Sequence, residues 1–186
     1  MEKLNQQRKL QTSEMARLEL SEFKQATKIK LHLVLDNLRS MHNVGSVFRT
    51  ADAFLVEHIH LCDRTPLPPN KAIHKTALGA TESVDWSHHA TTEDCVRNLQ
   101  QQGFRVFCLE QTTNSQSLEK VDEFIRNSDK VALVLGNEVS GVDQAVIDMC
   151  ESAIEIPQYG TKHSLNVAVS CGIAIWSLSQ CLLSTE

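Results

Sequence analysis

The sequence predicts an α/β fold: one domain with a mainly parallel sheet and helices on both faces. From residue 31 onward, short apolar runs alternate with segments of helical spacing. The chain of 186 residues is long enough for one well-buried core and short for two. Strands separated by helices imply parallel pairing, with crossover helices covering the sheet on either side.

Residues 1–28 contain neither Gly nor Pro and are rich in Gln, Glu, Lys, Leu and Arg, all good helix formers. Leu10, Met15, Leu18 and Phe23 make a modest apolar stripe, so the reading is a basic helical extension over 1–30, followed by a domain over 31–186. Strands are expected at Leu31–Leu35, His58–Cys62, Phe104–Leu109, Val131–Leu135 and Ala153–Ile156. Helices are expected at Gly45–Ala53, Glu93–Gln102, Asp143–Met149 and Ser164–Leu183. Pro66, Pro68 and Pro69 mark one loop, and Gly160 marks another.

Composition excludes several classes. No apolar run reaches the roughly 18 residues of a membrane span, and the first residues lack a signal-peptide pattern, which points to a cytoplasmic protein without a membrane partner. Six cysteines are scattered without a CxxC pair, the pattern of reduced and largely buried thiols. His58/His60 and His88/His89 have no Cys or carboxylate at ligand spacing beside them, so no metal is expected. The net charge is −5, yet residues 1–30 carry seven Lys/Arg against four Glu, a balance of +3 that leaves −8 for the remainder. The total therefore hides a local basic patch suited to nucleic acid, although a solvated helix would look the same.

Three segments carry chemistry. The first, Asn43-Val44-Gly45-Ser46-Val47-Phe48-Arg49-Thr50, follows strand residues 31–35, at the sheet edge where open α/β folds bind ligands. Val44, Val47, Phe48, Ala51 and Phe54 form a buried stripe that leaves Asn43 and Arg49 off it. Asn43 reads as an N-cap, and Gly45 permits close backbone approach. In the second, strand 131–135 runs into Gly136-Asn137-Glu138-Val139-Ser140-Gly141, a tight turn lacking the Lys-Ser/Thr of a Walker loop. The third is Ile156-Pro157 and a loop through Gly160 and His163, then Ser164-Leu165-Asn166, with Ser164 as the expected cap of the last helix.

In this order, the three segments resemble the signature motifs of the SpoU/TrmH family of trefoil-knotted methyltransferases. The likeness covers about residues 31–183, and Lys75–Ala80 resembles a short Gly-Ala element found between the first two motifs. The resemblance implies a deep C-terminal knot and transfer of a methyl group from S-adenosylmethionine to a ribose 2'-hydroxyl of RNA. It also implies a homodimer with the site completed near the subunit boundary and the Ser164–Leu183 helix as the main contact. Cofactor binding would fall to the loops at Leu109, Gly136, Ile156, Gly160 and Leu165, with Ile156 and Leu165 against the adenine. Arg49 matches the catalytic arginine, and Asn43, Glu138, Ser164 and Asn166 match the other polar positions. Gln158 and His163 depart from the common pattern without removing a catalytic group. The bare fold tilts the expected RNA towards tRNA over rRNA. A base methyltransferase on the same fold and a non-catalytic knotted RNA-binding protein are the alternatives.

Overall fold

The computed structural model describes residues 8–127 and 129–183 of the chain. Seven parallel strands form one sheet in the order β3-β2-β1-β6-β4-β7-β5. They are β1 (Ile29–Asp36), β2 (Val56–Cys62), β3 (Asp85–His89), β4 (Arg105–Leu109), β5 (Gln116–Ser117), β6 (Val131–Leu135) and β7 (Ser152–Glu155). The central pair is in register from Leu31 opposite Val131 to Leu35 opposite Leu135. Both strands are buried on both faces, which is why they read as continuous apolar runs.

Alternation along each strand splits the core into two layers. Leu31, Leu33 and Leu35 face the layer containing Val44, Phe48, Ile175 and Leu178. Val34, Ala132 and Val134 face the layer containing Cys95, Val96, Leu99 and Val146. The first layer is covered by α2 (Met41–Ala53), by the short α1 (Leu20–Gln25), α3 (Lys71–Ala77) and α4 (Ala80–Ser83), by the single turn α6 (Val121–Phe124) and by α8 (Val167–Leu183). The second is covered by α5 (Thr92–Gln101) and α7 (Gln144–Ile147). The α/β class and the helices on both faces therefore match the sequence reading.

Several boundaries are corrected. Where the sequence reads as a basic helical extension over 1–30, the described residues hold a 3-10 turn at Thr12–Glu14 and the six-residue α1. Leu10, Met15 and Leu18 are exposed, and Phe23 alone of that stripe is buried. Isolated helices this short gain too little to form without tertiary packing. Residues 1–7 of that expected extension lie outside the described residues. Strand β3 was not anticipated, because Asp85-Trp86-Ser87-His88-His89 lacks the apolar signature and is an edge strand.

Both expected caps also differ. Ser40 caps α2 by accepting a hydrogen bond from the Asn43 N–H at 3.3 Å, which puts Asn43 inside the first turn. Asn166 caps α8 by accepting from the N–H groups of Ala168 at 2.9 Å and Val169 at 3.4 Å, which leaves Ser164 in the preceding loop. In each case one cap-competent residue stands close to another, and the chain path decides between them.

Gly45 allows α2 to lie directly on α3. A Cβ there would stand 2.1 Å from Thr76 Oγ1 and 2.3 Å from the Ile73 carbonyl oxygen. Thr76 seals the contact by donating to the His42 carbonyl at 3.0 Å. The packing holds the amino-terminal turn of α2 at the carboxyl edge of the sheet.

Candidate active site

Four loops meet at the carboxyl edge of β6, β4 and β7 and enclose a cavity of about 690 Å³. Its wall includes Leu109, Gly136, Ile156 and Leu165 of the residues expected to hold a cofactor, and Glu138, Ser164 and Asn166 of the polar ones. Gly160 is not on this wall; it sits in the exposed loop after β7, where a Cβ would meet nothing within 4 Å. Asn43 and Arg49 are not on it either.

The turn after β6 is built on itself. Asn137 and Gly141 exchange backbone hydrogen bonds of 2.9 Å in both directions. The buried Asn137 side chain accepts from the N–H groups of Val139 and Ser140 and donates to the Asn37 carbonyl at 2.7 Å. Gly141 adopts φ +72°, a left-handed conformation that favours glycine, and a Cβ there would meet Glu110 Oε2 at 2.3 Å. Glu110, the first residue after β4, accepts from the Val142 N–H at 3.1 Å and so ties that strand end to the turn.

Glu138 links this turn to the first motif. Its carboxylate accepts from the N–H groups of Arg39 at 2.9 Å and Ser40 at 3.0 Å, and from Asn43 Nδ2 at 2.9 Å. Burial opposes its ionisation, but the donors at Arg39, Asn43 and Ser40 outweigh that and hold the carboxyl below its ordinary range. Asn166 Nδ2 in turn donates to Asn43 Oδ1 at 3.2 Å. Three segments remote in sequence thus form one relay, Glu138–Asn43–Asn166. Glu138 anchors a loop and has no ion pair with Arg49 among the described residues.

Arg49 lies further along α2, exposed, on a different cleft of about 500 Å³ that it shares with Arg17, Leu18, Asp52 and Leu78. The Lys75–Ala80 element forms part of that same cleft. Within one chain, then, the relay and the cavity are together, and Arg49 is apart from them.

Sequence reasoning missed Glu110, Asn137, Gln111 and Asp36. Gln111 Nε2 donates to the His163 carbonyl at 2.8 Å, fastening the long loop over the cavity. Asp36 is buried beneath the turn, accepting from the Thr92 hydroxyl at 2.5 Å and the Asp143 N–H at 3.3 Å; burial raises its pKa. Each follows a strand or ends one, so the strand-end rule applied to every strand would have found them.

A parallel α/β sheet with a loop-built cavity outside its carboxyl edge defines a ligand-binding α/β protein. Its sequence matches the SpoU rRNA Methylase family over residues 30–176, and the chain belongs to that family. It is 31% identical over 146 residues to a 23S rRNA (guanosine-2'-O-)-methyltransferase RlmB of Xanthomonas axonopodis pv. citri, covering 78% of this chain and 57% of that protein. Its fold is similar to an AdoMet-bound rRNA methyltransferase from Sinorhizobium meliloti, with a TM-score of 0.75 and 25% identity over 88% of this chain and 61% of that one. A structure described as giving insights into the 2-OH methylation of C/U34 on tRNA matches with a TM-score of 0.71 and 28% identity, over 82% of this chain and 96% of that one. Against the curated relatives the chain spans 56–63% of their length. No helix among the described residues is long and apolar enough to cross a membrane.

Proposed function

We propose that this protein is an S-adenosylmethionine-dependent RNA methyltransferase that modifies a ribose 2'-hydroxyl, with tRNA as the favoured substrate. The observation that carries the reading is the cavity at Gly136 and Leu165, joined at its rim to the Glu138–Asn43–Asn166 relay. The residues fit the cofactor. The cavity has the volume usual for a ligand of that size. Leu109, Leu135, Ile156 and Leu165 offer apolar surface to an adenine, and the turn 136–141 offers backbone groups. The trefoil threading implied by family membership belongs to this reading.

S-adenosylmethionine, when bound, supplies a methyl group already activated as a sulfonium. The chain must hold a ribose hydroxyl in line with that methyl and stabilise the charge that develops on its oxygen. Asn166, on the cavity wall and held by Asn43, orients the ribose; Ser164, also on the wall, offers a hydroxyl to it. Glu138 positions Asn43. Arg49 keeps its proton, as arginine does in proteins, so its part is to grip the neighbouring phosphate and stabilise the oxyanion while a phosphate or water takes the proton. Arg17, on the same cleft, adds a second cation for the RNA backbone, which gives the segment around Arg17 an RNA-facing role.

Because Arg49 is apart from the cavity of its own chain, the complete site is that of a homodimer. Val169, Ile173 and Trp176 on α8 are exposed apolar residues, and the same helix borders the cavity through Val167 and Ser170. A second copy seated on this face brings its own α2, which packs against α8, towards the cavity.

The test is nucleoside profiling after incubation with methyl-labelled cofactor and either bulk tRNA or rRNA. Label in a 2'-O-methylated nucleoside of tRNA is expected. Label on a base, or cofactor binding without transfer to any RNA, would overturn the reading.

A further inference from the structure

On the sheet face away from α2 and α8, the strands β1, β2 and β3 present His32, His58, His60, Ser87 and His89 side by side. Alternation puts these residues on one face, and parallel register sets His60 opposite Ser87 and His58 opposite Asp85. His60 Nδ1 lies 2.9 Å from His89 Nε2 and 3.1 Å from Ser87 Oγ, and Ser87 Oγ lies 3.0 Å from His89 Nε2. The other nitrogen of His60 is 3.0 Å from His32 Nδ1. Above them α5 lowers the buried Cys95, so that ligand atoms of His60, His89 and Cys95 all stand within 4.8 Å of one another.

This geometry is poorly served by hydrogen bonds alone. A ring nitrogen has a single in-plane direction, for either a lone pair or an N–H. The triangle of His60 Nδ1, His89 Nε2 and Ser87 Oγ asks each nitrogen to serve two neighbours, and one edge is always left without a proton along it. A cation between the nitrogens and the sulfur would use every lone pair at once. Bonds of about 2.0–2.1 Å to imidazole and 2.3 Å to thiolate put the tetrahedral ligand atoms of this set roughly 3.3–3.6 Å apart. The two nitrogens need part by only a few tenths of an ångström to meet that spacing.

We propose that His60, His89 and Cys95 form a binding site for a divalent transition-metal ion of the zinc type, with water at the fourth corner. Two imidazoles and a thiolate are borderline-soft donors, a set that selects zinc or cobalt over magnesium or calcium. Neutral imidazole and thiolate are the ligating forms, so binding releases the Cys95 proton to solvent. His32 and His58 lie outside the ligand triangle, with His32 orienting His60 through its second nitrogen as outer partners of metal-bound histidines do. The ion reaches the site over β3, an edge strand on which His89 is half-buried. Once bound it would clamp that edge to β2 and α5; none of its three ligands lines the cavity at the ends of β4, β6 and β7. The site is independent of the methyl-transfer reading.

The experiment is titration of the metal-stripped 186-residue protein with Co²⁺ alone, read by absorption, followed by competition with Zn²⁺ and with Mg²⁺. One equivalent is expected, with tetrahedral d–d bands and a thiolate-to-cobalt charge-transfer band that Zn²⁺ abolishes and Mg²⁺ leaves intact. Cys95→Ser should remove the charge-transfer band. His89→Asn should weaken binding by more than the roughly 10–100-fold that loss of an outer partner costs. Absence of a charge-transfer band in the wild-type protein, its survival in folded Cys95→Ser, or displacement by Mg²⁺ would overturn the proposal. The wild-type titration decides it even where a variant fails to fold.

Discussion

Asn166 Nδ2 donates a hydrogen bond of 3.2 Å to Asn43 Oδ1 across 123 residues of sequence. The same Asn43 donates through Nδ2 to Glu138 Oε1 at 2.9 Å, so its amide is used at both ends. Its oxygen faces the helix cap at Asn166 and its nitrogen faces the turn after β6. Flipping the amide would set donor against donor at Asn166 and acceptor against acceptor at Glu138.

Replacing Asn43 by Ala should therefore remove the acceptor of Asn166 Nδ2, leaving Asn166 held only by its cap contacts to Ala168 and Val169, while the wall of the cavity stays in place. Methyl transfer should fall on the order of 100-fold, the cost of a misplaced reacting group. Cofactor affinity should change little, since Asn43 does not line the cavity. Asn43→Asp keeps an acceptor for Asn166 but sets a carboxylate against Glu138, and should not rescue. Parallel measurement of turnover and of cofactor binding checks both statements; a loss confined to cofactor binding would count against a positioning role.

Arg49→Ala should preserve the fold and cofactor binding and lower transfer by at least about 10²–10³-fold, the usual cost of removing one group that stabilises an oxyanion. A mixture with Asn166→Ala separates a shared site from a private one. If each site takes Arg49 from one chain and Asn166 from the other, random pairing of two inactive variants restores roughly one site in four. No recovery in the mixture would mean that both residues serve a site within one chain.

The carboxyl of Glu138 is held below its ordinary value of 4.5, so it binds fewer protons folded than unfolded. Its contribution to stability is complete above that value and is lost as pH falls beneath it. Acidification below about 4.5 should loosen the 39–43 segment from the turn, seen as faster amide exchange at Arg39 and Ser40. Glu138→Gln should exchange quickly at these two amides at neutral pH and lose the acid dependence. Because the side chain is largely exposed, the effect on global stability should be small.

Gly45→Ala should be strongly destabilising. The added methyl would meet Thr76 Oγ1 at 2.1 Å and the Ile73 carbonyl at 2.3 Å, and the second of these is backbone. Overpacking of this kind costs about 1–3 kcal/mol and occasionally more, because two helices must move apart. A lowered midpoint of urea unfolding is the measure. Gly45→Ala combined with Thr76→Ala should recover part of the loss, since only the side-chain clash is relieved.

The sheet was legible where burial is symmetrical. β1 and β6 are enclosed on both faces, and such strands appear in the sequence as unbroken apolar runs. Edge strand β3 was not legible, because Ser87, His88 and His89 satisfy a half-exposed surface and carry no alternation of apolar residues. The same strand conceals the histidine and cysteine cluster. Ligand-spacing rules look along the chain, whereas His60, His89 and Cys95 come from β2, β3 and α5.

The sequence by itself determined the layered α/β architecture, because strand burial and helix amphipathicity are local consequences of residue order. It also put Glu138 at the carboxyl edge, since positions just beyond a strand must lie there, but Glu110, Gln111 and Asn137 on the same cavity wall stayed unread. Tertiary structure decided what each of those residues touches. It made Ser40 and Asn166 the caps, turned Asn43 into the link between Glu138 and Asn166, and left Arg49 on a separate cleft. Those outcomes depend on distances between segments up to 123 residues apart, and no local pattern encodes such a distance; it follows from how the packed core fixes one loop against another.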